Sequence, residues 1–184
     1  MMERRKSLKL MSGFAPMIFL PTNNAVIPKK FDSEQLLRMF VLRMKSIEGY
    51  CYELFKSMPL SDFDFQPTAE IMPYGKLFTH IGNGLEIYAG VLDGSSVDKE
   101  PDSSDNNKVL AYVQNGFNHF NKVLNHQNDK DLFSINHQYP DKAPWKEFSI
   151  AEIIMLAYSH TTHHNAQAAV YLKLKDITPP KYRF

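Results

Sequence analysis

The chain has 184 residues, of which 43% are hydrophobic, 12% aromatic and 22% charged, enough for one globular domain with a sizeable core and too few for two ordinary domains. No uninterrupted run approaches the roughly 18 apolar residues of a membrane span, and 21 Lys and Arg against 20 Asp and Glu leave a net charge of +1, so no strong field draws nucleic acid or an anionic membrane. The single cysteine, Cys51, excludes an internal disulfide.

The first thirty residues begin basic, pass through a short apolar run from Leu10 to Leu20 and turn polar near Ala25. That is the layout of an export signal, and Arg4-Arg5-Lys6-Ser7-Leu8-Lys9 resembles a twin-arginine signal. The run is interrupted by Gly13 and Pro16, so a loose tail on a cytoplasmic protein is the other reading. Arg4, Arg5, Lys6 and Lys9 against Glu3 give residues 1–25 a charge of +3, which leaves the remainder at −2. The main domain, residues 31–184, is thus mildly acidic.

Leu36, Phe40, Met44, Ile47, Cys51, Leu54 and Met58 recur at steps of three and four, which predicts a long amphipathic helix capped by Asp32 or Ser33 and ended by Pro59. Cys51 falls inside this apolar series and reads as a small buried hydrophobe. Pro73 suits the first turn of a second helix with Leu77, Ile81, Gly84, Tyr88 and Val91 on its stripe, ending by Gly94. A surface loop over 94–104 precedes a third helix marked by Leu110, Val113, Phe117, Phe120 and Leu124. Residues 125–148 carry turn residues, Pro140, Pro144 and the only tryptophan, Trp145, and read as a long irregular connection. Ser149 and Glu152 have the spacing of a capping box opening a fourth helix, which Pro179-Pro180 stop. With no strand pattern in competition, the expectation is an all-α four-helix bundle.

On the fourth helix the apolar series Ile150, Ile153, Ala157 continues as His160, His164 and Tyr171, so two histidines occupy core-facing positions. At about 100° per residue, His160 and His164 share one face at i, i+4, a spacing that lets two imidazoles converge on one ion. His163 falls off the stripe. On the second helix His80 sits one step from Ile81 and also faces the bundle. A lone histidine on an apolar face is ordinarily a hydrogen-bonded core residue. Three inward histidines each need partners for both ring nitrogens, and a divalent metal with a fourth position left open answers that need. Gly82 and Gly84 each weaken a helix by about 1 kcal/mol relative to alanine, which suggests a close approach there. His119, His126 and His137 share no spacing with the three and read as surface or loop residues. Thr161 stands where a HExxH zincin has its glutamate, which excludes that class.

The segment from Tyr158 through His160, His163, His164 and Gln167, followed by Val170-Tyr171-Leu172-Lys173 and Pro179-Pro180-Lys181-Tyr182, resembles the DinB family, also called the DinB/YfiT-like metalloenzymes. So does the stretch from Asp62-Phe63-Asp64-Phe65-Gln66-Pro67 to Tyr74-Gly75-Lys76-Leu77-Phe78-Thr79-His80-Ile81. The resemblance implies an up-down-down-up bundle and a divalent ion, zinc or nickel, on His80, His160 and His164. It also implies a metal-dependent transferase or hydrolase acting on a small molecule, with a low-molecular-weight thiol as one cofactor and a non-catalytic metal-binding or interaction bundle as the alternative. Gln167 matches the family glutamine, with a role in orienting a ligand or in packing. Many members have Arg-Gly before that glutamine, whereas this chain has Asn165 and Ala166, so no role for that arginine transfers. Glu86, two turns beyond His80, could face the site or solvent, and Tyr139 and Trp145 are candidates for a pocket mouth. No basic stripe supports DNA binding. A homodimer through an apolar helix face is compatible with the sequence.

Overall fold

The computed structural model describes residues 32–135 and 147–182. Four helices carry them: α1 (Ser33–Ser57), α2 (Tyr74–Asp93), α3 (Asn106–Asn125) and α4 (Ile150–Leu174). Each begins on a local signal. The Asp32 side chain accepts from the Glu34 amide at α1, Asp105 accepts from the Lys108 amide at α3, and Ser149 and Glu152 form a reciprocal capping box at α4. Pro73 precedes α2, whose end is closed by Gly94 in the left-handed conformation at φ 79°, a geometry glycine adopts without steric cost.

The chain directions follow from side-chain contacts. The Tyr74 hydroxyl donates to the Leu54 carbonyl at 2.7 Å, which sets the start of α2 beside the end of α1. Tyr52 meets Phe117 edge-on and Asn121 donates to Glu48, so α3 also runs against α1. Gly82 faces Gly116 and Glu86 faces His119, which makes α2 and α3 parallel. Tyr171 donates to the Met72 carbonyl and Asn165 to the Ile47 carbonyl; α4 therefore opposes α2 and parallels α1. The order is up-down-down-up.

Because α2 and α3 are parallel, the crossover over 94–105 must return along the bundle before α3 begins. It is tied down on the way by the Tyr112 hydroxyl donating to the Asp98 carbonyl, by a Lys76–Glu100 ion pair, and by Ser103, whose carbonyl would lie 2.7 Å from a Cβ at Gly75.

The core runs the length of the bundle. Met44, Cys51, Leu54, Tyr74, Phe78, Leu85, Phe117, Phe120 and Ile153 are fully buried, and at the start of α2 the rings of Phe55, Phe63, Tyr74 and Phe78 meet edge to face, the arrangement aromatic quadrupoles favour. The connection expected to be irregular is partly ordered. Asp129–Asp131 form a short 3-10 turn, Leu132 is buried, and the carbonyls of Leu132 and Ser134 accept the amides of Ala151 and Ile150. These bonds join the turn to the first residues of α4. Among the described residues no helix is long and apolar enough to cross a membrane. The N-terminal segment read as an export signal, and His137, Tyr139 and Trp145, lie outside the described residues.

Candidate metal centre

His80, in the first half of α2, and His160 and His164, a turn apart on α4, come together where the two antiparallel helices cross. One nitrogen from each ring lies within 4.8 Å of the others. The Nε2 atoms of His80 and His160 are 3.1 Å apart, and the ring centroids are separated by 4.9 Å (His80–His160), 4.6 Å (His80–His164) and 4.5 Å (His160–His164).

Gly84 makes this convergence possible. A Cβ there would sit 2.4 Å from Cε1 and 2.6 Å from Nδ1 of His160, so the glycine supplies the volume that the imidazole fills. Gly82 does the same for Tyr112, whose Cδ1 would lie 2.8 Å from an added Cβ. Both glycines therefore mark close approaches, but only Gly84 concerns the histidines.

Burial depresses the basicity of all three rings. His160 is lowered to about 4, first by burial and then by the neighbouring charges of His164, His80 and His163. Burial likewise lowers His164, against a hydrogen bond that its ring donates to Gln167 and that favours the charged form. His80 is lowered by burial and by Lys76, with Glu100 opposing. The three imidazoles are thus uncharged at neutral pH and offer lone pairs, the state in which histidine binds metal.

The tautomers follow from the hydrogen bonds. The Gln167 amide oxygen lies 2.7 Å from Nδ1 of His164, and an amide oxygen only accepts, so Nδ1 carries the proton and Nε2 is left as the lone-pair nitrogen. Nδ1 of His160 is buried with no hydrogen-bond partner, an arrangement that costs about 1–3 kcal/mol unless something else compensates. An all-nitrogen donor set, uncharged and borderline soft, fits zinc, nickel or copper better than magnesium or calcium.

Other residues singled out in the sequence fall elsewhere. His163 is exposed, its ring against His164 at 4.9 Å. Thr161 is buried and donates to the Ala157 carbonyl. Glu86 faces α3, where Oε2 lies 2.7 Å from Nδ1 of His119. This corrects the surface reading of His119: its ring is held between two α2 carboxylates. On α3 it shares the side of Tyr112 and Gly116, which lie against Gly82 of α2. His126 is exposed at the end of α3, as expected. Tyr88, expected only as part of the stripe of α2, meets the His160 ring edge-on at 5.9 Å.

The sequence profile of the DinB family matches residues 33–183. The chain belongs to the DinB family. A solved DinB-like protein from Bacillus cereus shares its fold, with a TM-score of 0.60 and 15% identity, covering 82% of this chain and 97% of that one. Comparison with the curated proteins returns no match. Two grooves of this DinB chain differ in their distance from the three histidines, the second adjoining them through Gln167, the partner of His164. One of about 600 Å³ opens between the starts of α1 and α4, lined by Leu36, Phe40, Phe133, Ile135 and Met155; a smaller one of about 370 Å³ borders His163, Gln167 and Tyr171.

Proposed function

We propose that this DinB protein is a metal-dependent enzyme whose divalent ion, zinc or nickel, is held by His80, His160 and His164. The observation that carries the reading is the convergence of three uncharged imidazoles from two helices within 4.8 Å, with Gly84 cleared to admit one ring and Gln167 fixing the proton of another. A closed structural site uses four protein ligands, whereas three histidines converge here; this favours an open position and hence catalysis over a structural pin.

An ion so bound supplies Lewis acidity, which brings the pKa of a coordinated water toward about 7 or favours a coordinated thiolate. The protein's own contribution is to keep the three rings unprotonated by burial, to hold the His164 ring through Gln167, and to fix His160 against the backbone of α2. Reaction with a small electrophile, by thiol transfer or by hydrolysis, is the chemistry proposed for the site.

The test is a paired screen of protein loaded with zinc or nickel and of chelator-treated protein, against thiol transfer to small electrophiles and against ester and amide hydrolysis. Turnover that depends on the ion and is lost in His164→Ala supports an enzyme. An ion bound stoichiometrically with no turnover and no binding of small thiols or carboxylates supports the structural role.

A further inference from the structure

A second polar cluster lies about two to four turns beyond His80 along α2. The His119 ring bridges two carboxylates: Nδ1 is 2.7 Å from Oε2 of Glu86 and Nε2 is 3.0 Å from Oδ2 of Asp93. Asp93 is the last residue of α2 and accepts the Ser95 amide at 2.9 Å through its other oxygen, while the Ser95 hydroxyl is 3.3 Å from the same Nε2. Between them, Gly94 turns the chain in the left-handed conformation, and Ser95 folds back so closely that its carbonyl would lie 2.6 Å from a Cβ at Gly90. The start of the crossover is thus fastened to α3 through one imidazole.

We propose that His119 is a proton-operated latch that ties Asp93, and through its bond to the Ser95 amide the start of the 94–105 crossover, to α3, and that this tie is lost when the ring loses its proton. A protonated imidazole has two N–H groups and satisfies Glu86 and Asp93 together; a neutral one has a single N–H and satisfies only one. The Glu86 side chain is 9% exposed and that of Asp93 35%, so leaving Glu86 unpaired is the costlier choice and the remaining proton stays on Nδ1. Nε2 then presents a lone pair to the Asp93 carboxylate. Only the exposed Ser95 hydroxyl, at the longer 3.3 Å, can then donate to Nε2, a single solvent-exposed contact in place of the charge-paired bond to Asp93.

Glu86 and Asp93, both from α2, are the charged groups acting on the ring; the crossover adds the uncharged Ser95, and no charged group of α1 touches it among the described contacts. Burial works against the charged ring, but the hydrogen bonds and charges of Asp93 and Glu86 outweigh it, and His119 is raised above its ordinary 6.5. The latch is therefore closed below that value and opens as the pH rises through the higher folded-state value. The same crossover carries Glu100, paired with Lys76 one helical turn from His80, so its release loosens a segment whose charges act on His80.

The test is hydrogen exchange by mass spectrometry on the full chain from about pH 6 to about pH 9, the range around histidine titration, with rates corrected for intrinsic chemistry. Protection of the peptide covering 94–98 should be lost across the titration of His119 in the wild type. In Asp93→Asn and His119→Gln that transition should vanish and protection should stay low throughout. Asp93 is at the helix end and partly exposed, so its variant carries the test where His119→Gln fails to fold. In parallel, the His119 ring followed by NMR should titrate above 6.5 in the wild type and lower in Asp93→Asn. Constant protection across the range, a transition that persists in the folded variant, or a wild-type midpoint at or below 6.5 overturns the proposal.

Discussion

Replacing Gly84 with alanine tests the geometry of the centre with a single methyl group. The added Cβ would lie 2.4 Å from Cε1, 2.6 Å from Nδ1 and 3.3 Å from Nε2 of His160, while carbon atoms rest at about 3.5–4.0 Å. The ring must retreat by about 1 Å, several times the roughly 0.2 Å tolerance of a metal–ligand distance. Overpacking of this kind costs about 1–3 kcal/mol, against a gain of about 1 kcal/mol from replacing a mid-helix glycine. The net change is about 0–2 kcal/mol, and the bundle remains folded. Zinc affinity should fall at least by the roughly 10–100-fold seen when a supporting hydrogen bond to a ligand is removed. Chelator competition at fixed pH measures that loss. Thermal unfolding with and without zinc gives a second readout, since a ligand at about 100 times its dissociation constant stabilises by about 2.7 kcal/mol. Gly82→Ala is the control: its Cβ presses on Tyr112, so it should lower stability by a similar amount and keep the affinity. Wild-type zinc affinity in Gly84→Ala, or an equal loss in Gly82→Ala, would refute the reasoning.

Gln167→Ala removes the acceptor that fixes the His164 ring and should weaken zinc binding about 10–100-fold with little change in fold, as competition titration and circular dichroism would show. Chelator-treated protein should lose stability as the pH falls from 6.5 toward about 4, because burial holds His160 near the lower value while the unfolded chain takes up its proton at the higher one; urea unfolding across that range checks the sign, and flat stability contradicts it. Cys51 is fully buried and its thiol is pushed up by burial, so an aromatic disulfide reagent should leave it untouched in the native protein and react fully on unfolding. Ser149→Ala breaks the capping box of α4, which should cost about 1 kcal/mol and lower the melting temperature by about 2–4 °C for a chain of this length.

What could be read in the sequence was what is written locally. Asp32 and the Ser149–Glu152 pair mark helix starts because capping bonds span two to three residues, and Pro73 marks one because its fixed φ suits the entry to a helix. The convergence of His80, His160 and His164 was legible because helical periodicity places side chains on a face, and a polar residue on an apolar stripe stands out. The Glu86–His119–Asp93 cluster was not legible. It depends on α2 and α3 being parallel and in one register, through contacts 33 and 26 residues apart, and His119 lies beside rather than on the stripe of Phe117 and Phe120. The close fit of Gly84 to His160 is of the same kind. A glycine in the helix announced a near neighbour, but only the crossing of α2 and α4 shows which.

The most direct test of the central claim is the metal content, by mass spectrometry, of protein purified without chelator or histidine tag, beside His164→Ala. About one zinc or nickel ion per chain is expected, lost in the variant while its circular dichroism stays helical. A wild-type protein that holds no ion even after zinc and nickel are supplied would contradict it and make the three histidines residues of the core.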